Sequence, residues 1–341
     1  MGWIKNGWYA VGVSQLLTKG VMLKRTILEE RVVLFRAEDG SPVALRDRCP
    51  HRFAPLSMGR LQGALITCGY HGLQFNAQGR CVHNPHGAGS IPSAATVHSY
   101  PILDRYGFTW IWMGSPEAAD QTKIPDLSIL DRSPTAATTR GTFHSSINYL
   151  LQLDNLLDIS HVDFLHTWFE TGGLSSARPH VSEVSEKVTS LWTWKAEQGY
   201  GLHKDYVGAT PVDSYMEAIW QAPSTVILLL SSVAEGKPRA DGVGVFAVHL
   251  LTPESDRAVH YSYALTRNFA LDDQSLTEVT EKALLRVNET EDQPMVQAIQ
   301  DEIGSADFWS LKPVLLMHDT GPVKVRRAID RLVAADSASS E

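Results

Sequence analysis

Cysteine is scarce, with three in 341 residues. Cys49, Cys68 and Cys81 are an odd number in a long chain, so a disulfide framework is excluded and a reducing, cytoplasmic setting is expected. Long apolar runs are missing too. The longest, around Val226–Leu230, is far too short to cross a bilayer, and no apolar stretch follows Met1–Trp8, so neither a membrane span nor a secretory signal is expected. Basic residues do not predominate: 30 Lys and Arg stand against 38 Asp and Glu, a net charge of −8. That balance argues against a nucleic-acid partner and against binding to an acidic membrane surface. No repeat runs through the chain. What is present is ordinary for a protein with a real core, 43% apolar and 20% charged, and long enough for about two domains at roughly 150 residues each.

The first third reads as short strands punctuated by turns. Val32–Phe35 stops at Asp39-Gly40-Ser41-Pro42 and Val43–Leu45 resumes; Ala64–Thr67, Leu73–Phe75 and the aromatic run Tyr106–Trp112 follow. The polar segment Pro116–Pro125 marks the domain boundary, giving an all-β domain over 1–120 and a larger one over 121–341. In the second domain, strand-like alternation covers Val181–Trp194, Tyr215–Val233, Val243–Leu251 and Val259–Leu265. Helices are expected over about 150–168, about 275–303 with a cap among Asp272–Ser275, and from Thr320 to about Ala334, with a frayed tail at Ser337–Glu341. The fold class is therefore α+β.

Two dense patches carry chemistry. Cys49-Pro50-His51 and Cys68-Gly69-Tyr70-His71 are separated by 16 residues, and each offers a thiolate and an imidazole at short spacing. Two metals suit such a set. Zinc takes all four ligands on one ion. A [2Fe–2S] cluster of Rieske type takes two Cys on one iron and two His on the other, which matches loops that each supply one of both. Cys81 is left over, in the Gly/Pro-rich loop Gly79–Gly87 with His83 and His86, and reads as packing near that site.

The second patch runs from Asp154 and Asn155 through Asp158-Ile159-Ser160-His161 to His166. Two His and one carboxylate form the facial triad of non-haem Fe(II) oxygenases, with further positions open. Residues five apart sit about 140° apart on an ideal helix, so a shared metal requires a helix break or a π-type widening between His161 and His166.

The flanks resemble one family. Cys-Pro-His-Arg-Phe-Ala-Pro-Leu-Ser from Cys49 and Cys-Gly-Tyr-His-Gly-Leu-Gln-Phe from Cys68 are similar to the two cluster loops of Rieske proteins. Asp158-x-x-His161-x-x-x-x-His166 resembles the mononuclear iron motif of Rieske non-haem iron oxygenases. The resemblance extends over essentially the whole chain, from Asn6–Val11 to the C-terminal helices, and is greatest to the α-subunit-only branch of vanillate O-demethylase and dicamba monooxygenase oxygenase components. It implies a Rieske domain followed by a helix-grip catalytic domain with an antiparallel sheet. It implies Cys49, His51, Cys68 and His71 as cluster ligands and His161 and His166 as ligands of mononuclear Fe(II). The third ligand is implied far downstream, at Asp292 in Glu291-Asp292-Gln293-Pro294, with Glu289 and Glu291 as rivals and Pro294 able to kink the helix. Asn155 and Asp158 are implied as catalytic residues that do not bind the metal. Asp158 is expected to accept the free N–H of a ligand histidine, and to bridge His161 to His71 of a neighbouring subunit in a head-to-tail homotrimer. His249 falls at a position that in this branch can point into the substrate pocket, and Leu229 and Ala283 fall at pocket positions where relatives often carry larger or more polar residues.

The reaction implied is O2-dependent oxidation of a small aromatic, by O-demethylation or exocyclic hydroxylation. Ring hydroxylation is the alternative within the family, and a Rieske electron carrier is an alternative that the long second domain disfavours. Gly242-Val243-Gly244-Val245-Phe246-Ala247 fits a dinucleotide fingerprint only by letter, since it opens a strand. With no nicotinamide or flavin motif, electrons from NAD(P)H are expected through a separate reductase or ferredoxin.

Overall fold

The computed structural model describes residues 2–208 and 210–338. The chain packs as two units, one of Trp3–Ile124 with Thr252–Asp256, the other of Pro125–Leu251 with the chain from Arg257 onward. Among the described residues no helix is long and apolar enough to cross a membrane.

The first unit holds eleven short strands: β1 (Trp8–Val13), β2 (Leu23–Ile27), β3 (Glu30–Arg36), β4 (Pro42–Arg46), β5 (Arg60–Gln62), β6 (Leu65–Thr67), β7 (Gln74–Phe75), β8 (Cys81–His83), β9 (Ser99–Tyr100), β10 (Ile102–Arg105) and β11 (Phe108–Trp112). They form three sheets in the orders β1-β11-β10, β2-β3-β4-β9 and β5-β6-β7-β8. The aromatic run begins its strand at Phe108 rather than Tyr106. Tyr106 and Gly107 both take positive φ, as a tight hairpin turn between β10 and β11 requires. Val33, Phe35, Leu45, Ile66 and Phe75 build a core into which Cys49 and Cys68 are sunk.

In the second unit, α1 (Ile129–Arg132) precedes β12 (Thr138–Ser145), α2 (Tyr149–Leu157) and α3 (Val162–Leu165). Then come β13 (His180–Val184), β14 (Lys187–Ala196), α4 (His203–Tyr206), β15 (Val212–Gln221), β16 (Thr225–Ala234), β17 (Val243–Ser255) and β18 (Ala258–Arg267). The last helices are α5 (Gln274–Val287), α6 (Gln293–Ile303) and α7 (Thr320–Ala338). The seven strands form one antiparallel sheet in the order β12-β18-β17-β16-β15-β14-β13.

Several expected elements divide. Val181–Trp194 is a hairpin turning at Ser185, whose φ is +54°. Tyr215–Val233 is a second hairpin, turning at Ala222-Pro223-Ser224. The helix expected over 150–168 ends at Leu157, because the Asp158 carboxylate turns back to accept the Ser160 N–H and caps a new 3-10 turn, Ile159–His161. The helix expected over 275–303 starts where Asp273 caps the Leu276 N–H, but it widens into a π-turn at Asn288–Asp292 before α6, with Pro294 in the first turn of α6. Proline has no N–H to give the preceding turn, and the widened segment absorbs that loss. The last helix runs on to Ala338, so Ser337 is helical; Ser339–Glu341 lie outside the described residues.

Candidate metal centres and the catalytic cavity

In the first unit Cys49 and His51 sit on the loop after β4, and Cys68 and His71 on the loop between β6 and β7. Each cysteine anchors a tight turn. The Cys49 N–H donates to Ala54 O (2.8 Å) and its carbonyl accepts from the Phe53 N–H; the Cys68 N–H donates to Leu73 O (2.8 Å) and its carbonyl accepts from the Gly72 N–H. The buried Asp47 carboxylate ties the first loop down through the Ser57 N–H and hydroxyl, both at 2.6 Å. Gly72 has a φ of +75°, and a Cβ there would come within 3.1 Å of Pro85, so the Gly79–Gly87 loop lies against the second cluster loop. His86 Nε2 is 2.8 Å from the His71 carbonyl oxygen.

The donor set is asymmetric. Both thiols are buried, and burial, then the neighbouring Cys68, pushes the Cys49 thiol up to about 11. The imidazoles of His51 and His71 lie 4.5 Å apart between ring centroids, with His51 exposed. The Cys49 thiol is thereby held against ionisation until a metal supplies positive charge. Two imidazoles at the surface beside the thiols complete a set that fits a Cys₂His₂ cluster. Cys81 packs against the same core, and its thiol lies 3.4 Å from the His83 carbonyl oxygen.

In the second unit His161, His166 and Asp292 present donor atoms that all lie within 4.8 Å of one another. Asp292 Oδ1 is 3.6 Å from His161 Nε2 and 3.2 Å from His166 Nε2. The helix break after Leu157 brings the two rings together, with centroids 5.1 Å apart. The π-widening sits on the other side of the site, at the segment that delivers Asp292.

Each donor is also held from behind. His161 Nδ1 lies 2.6 Å from the Asp158 carbonyl oxygen, and His166 Nδ1 lies 2.7 Å from Glu291 Oε2. With Nδ1–H donating in both rings, both Nε2 lone pairs are free to face the metal position. The Asn155 amide donates to Asp292 Oδ1 at 3.1 Å, and Arg326 fixes the neighbouring Asp154 through both carboxylate oxygens at 3.0 Å. Burial alone would raise Asp292, but His166, His161 and Asn155 outweigh it and hold the carboxyl below its ordinary range. Burial lowers His161; at His166 the facing Asp292 and Glu291 overcome burial and raise it.

Two expectations change here. Within the chain it is the backbone carbonyl of Asp158, not its carboxylate, that accepts from His161, while Asp158 Oδ1 accepts from the Ser160 N–H and hydroxyl. Glu291, expected as a rival ligand, lies behind His166, and the Trp168 indole N–H is 3.4 Å from the same oxygen. Glu289 is exposed and outside the cluster. The partnership of Glu291 with His166 had no signal in the sequence, because it joins positions 125 residues apart.

A cavity of about 480 Å³ opens beside the triad and is lined by Asn155, Leu229, His249 and Ala283 among others. His249 is 4% exposed, with Nδ1 2.7 Å from the Tyr261 hydroxyl. Tyr261 was not singled out by sequence; it stacks on Phe143 of the neighbouring strand and reads as core.

Residues 7–101 match the Rieske [2Fe-2S] domain, and residues 146–335 match the vanillate O-demethylase oxygenase C-terminal domain. The chain is 36% identical to the oxygenase component of chloroacetanilide N-alkylformylase from Rhizorhabdus wittichii, over 98% of this chain and 96% of that protein. It is 33% identical to the oxygenase component of dicamba O-demethylase from Stenotrophomonas maltophilia, over 99% and 100%. The crystal structure of dicamba monooxygenase bound to 3,6-dichlorosalicylic acid is similar with a TM-score of 0.90, at 33% identity and 99% and 100% coverage. The structure of that enzyme with non-haem iron and dicamba gives 0.84, at 32% identity with the same coverage.

Proposed function

The chain belongs to the Rieske oxygenase components that carry a vanillate O-demethylase-type C-terminal domain, and on that premise we propose that it oxidises an exocyclic carbon of a small aromatic, favouring O-dealkylation, with ring hydroxylation as the alternative. It is an enzyme whose cofactors are a Rieske [2Fe–2S] cluster and a mononuclear non-haem iron. We assign the cluster domain to 1–120 with Cys49, His51, Cys68 and His71 as ligands, and the catalytic domain to 121–341 with His161, His166 and Asp292.

The single observation that carries the reading is a mainly aliphatic cavity open to the three convergent donors. Bound there, iron supplies reductive activation of O2, with electrons that arrive through the cluster. The protein's own part is positional. The Asp158 carbonyl and Glu291 fix the tautomer and tilt of the two imidazoles, and Asn155 steers Asp292. Leu229 and Ala283 exclude water and leave room for a ring, while His249 offers a polar point that orients it. Electrons come from NAD(P)H through a partner reductase or ferredoxin in the cytoplasm, a reading supported by the relatives' names as oxygenase components and by the lack of a nucleotide-binding motif. The homotrimer rests on family resemblance, in which Asp158 joins His161 to His71 of a neighbouring subunit. Asp158→Asn keeps an acceptor for Ser160 and removes the charge, so it should retain both metals while slowing cluster reoxidation by O2 and substrate in stopped flow; normal reoxidation would refute the bridge.

The function is tested by oxygen uptake with a surrogate reductase over methoxylated and plain aromatics, scoring formaldehyde. Release of one formaldehyde per O2 consumed from a methoxyarene is expected. Ring-hydroxylated product without formaldehyde would favour the alternative.

A further inference from the structure

Resting on the assignment of Asp292 as the third ligand, we infer that Gln300 is a positioning residue for the mononuclear site. It belongs neither to the donor cluster nor to the cavity wall. It closes a frame of two helices, α2 and α6, that holds the Asp292 carboxylate against the two imidazoles. Asp292, just ahead of α6, accepts from Asn155 near the end of α2 at 3.1 Å. Gln300, near the end of α6, meets the start of α2. Its Oε1 accepts from the Asn148 N–H at 2.7 Å, and its Nε2 donates to the Ser146 carbonyl at 2.9 Å. Ties at opposite ends make the two helices antiparallel. Gln300 follows Asp292, and Asn155 follows Asn148, by nearly the same number of residues, about 12 Å and about 10.5 Å of helical rise. The two sides match to within one residue, so both corners can be tied at once.

The space between the corners is filled and braced. Gln293, Val296, Gln300 and Ile303 recur at the spacing of one helical face. Val296 shares a core with Ile147 and Leu151, and Ile303 packs against it. Gln152 of α2 donates to the Ser145 hydroxyl oxygen at 3.1 Å, and that hydroxyl donates to Gln293 Oε1 at 2.7 Å. Ser145, Gln152, Val296 and Gln300 are all buried. A hydrogen bond lost here is not replaced by water, which is why the frame depends on each of its ties.

Glutamine suits position 300 for a specific reason. Asn148 is the N-cap of α2, and its side chain accepts from the Leu150 N–H at 2.8 Å. A capping box satisfies the N-cap's own N–H through a Glu or Gln at the third helical position. That position is held by the apolar Leu151. Gln300 supplies the missing acceptor from the other helix, and its N–H takes up the Ser146 carbonyl, which an ionised glutamate cannot do. Without it the start of α2 is released from α6, and the shift is carried along α2 to the corner where Asn155 holds Asp292.

The test is chelator competition for the mononuclear iron of the anaerobic holoenzyme, with cluster absorption and melting temperature followed alongside. Gln300→Met keeps the side chain's length and removes both hydrogen bonds. It should weaken iron binding about fivefold, short of the 10–100-fold expected of a group that touches a ligand. In an Asn155→Ala background the same change should cost less than about twofold, because the corner through which it acts is already open. Val296→Ala leaves every tie in place, so it should lower the melting temperature while iron affinity stays within about twofold. Iron affinity in Gln300→Met equal to wild type overturns the inference. So does a loss repeated in full in the Asn155→Ala background, or a loss in Val296→Ala as large as in Gln300→Met. Should Gln300→Met not fold, Ser145→Ala, which removes the brace between Gln152 and Gln293, is held to the same outcomes. If Asp292→Ala retains its mononuclear iron, the ligand assignment has failed and the inference with it. If Asp292→Ala loses that iron while Gln300→Met binds it like wild type, only this inference falls.

Discussion

In the first unit two thiols lie beneath the surface while an imidazole beside them stands exposed; in the second, three donors converge at the floor of a cavity and each is hydrogen-bonded from behind. His166 is 7% exposed, whereas His51 is open to solvent. The contrast is the one that the proposed roles of the two sites require. A centre that receives electrons from another protein needs one edge at the surface, and burial of the thiolate side preserves the cluster. A centre that turns O2 onto a substrate needs water kept away and its ligands held still. Accordingly the first site is built from two tight turns, and the second from a helix break, a π-turn and an outer set of oxygen and amide partners.

The largest effects should separate the two regions completely. Cys68→Ser should abolish the visible absorption and the reduced-state EPR signal of the cluster. Asp292→Ala should abolish product formation while that absorption stays at its wild-type level. Loss of the mononuclear iron in Glu291→Ala but not in Asp292→Ala would reverse the ligand assignment. A smaller effect is expected one step further out: Glu291→Ala should cost about 10–100-fold in iron affinity or activity, read by chelator competition and initial rates, because His166 loses the acceptor that orients it. Asn155→Ala should lie near the lower end of that range, since Asp292 keeps both imidazole neighbours.

A third effect is one of stability, not activity, and belongs to the catalytic unit. Burial holds His249 and His203 near pKa 4, against an unfolded value of about 6.5. Between those values the unfolded chain binds more protons than the folded one, so stability falls as pH drops from about 6.5 towards 4. The loss is on the order of 3 kcal/mol for each residue. Denaturant melts at pH 7 and pH 5 should show it, and His249→Phe should flatten the slope; an unchanged slope would mean that the ring is protonated inside the fold.

The same contrast governs what could be read from the chain. The loops assigned to the cluster stand out as a set because the four candidate donors fall between Cys49 and His71, with turn residues beside them. The pair His161 and His166 was legible as a motif, but the way the rings meet was not, because the break depends on the Asp158 carboxylate capping the Ser160 N–H. Asp292 could be placed only through family position, for Asn155 and Asp292 are 137 residues apart in sequence. Strand alternation located the sheet, yet it ran two strands together at Ser185 and again at Ala222–Ser224, where the chain reverses in turns of two and three residues. The role of Glu291 was invisible, since a glutamate beside a candidate ligand looks like a second candidate until the fold shows which atom it touches.

The central claim is that one chain carries a cluster site and a separate mononuclear site whose third ligand is Asp292. Iron, zinc and acid-labile sulfide measured on anaerobically purified wild type and Asp292→Ala test it most directly. The account predicts about three irons and two sulfides per wild-type chain, and about two irons with unchanged sulfide in Asp292→Ala. Zinc with little iron in the wild type, or three irons retained in Asp292→Ala, would contradict it.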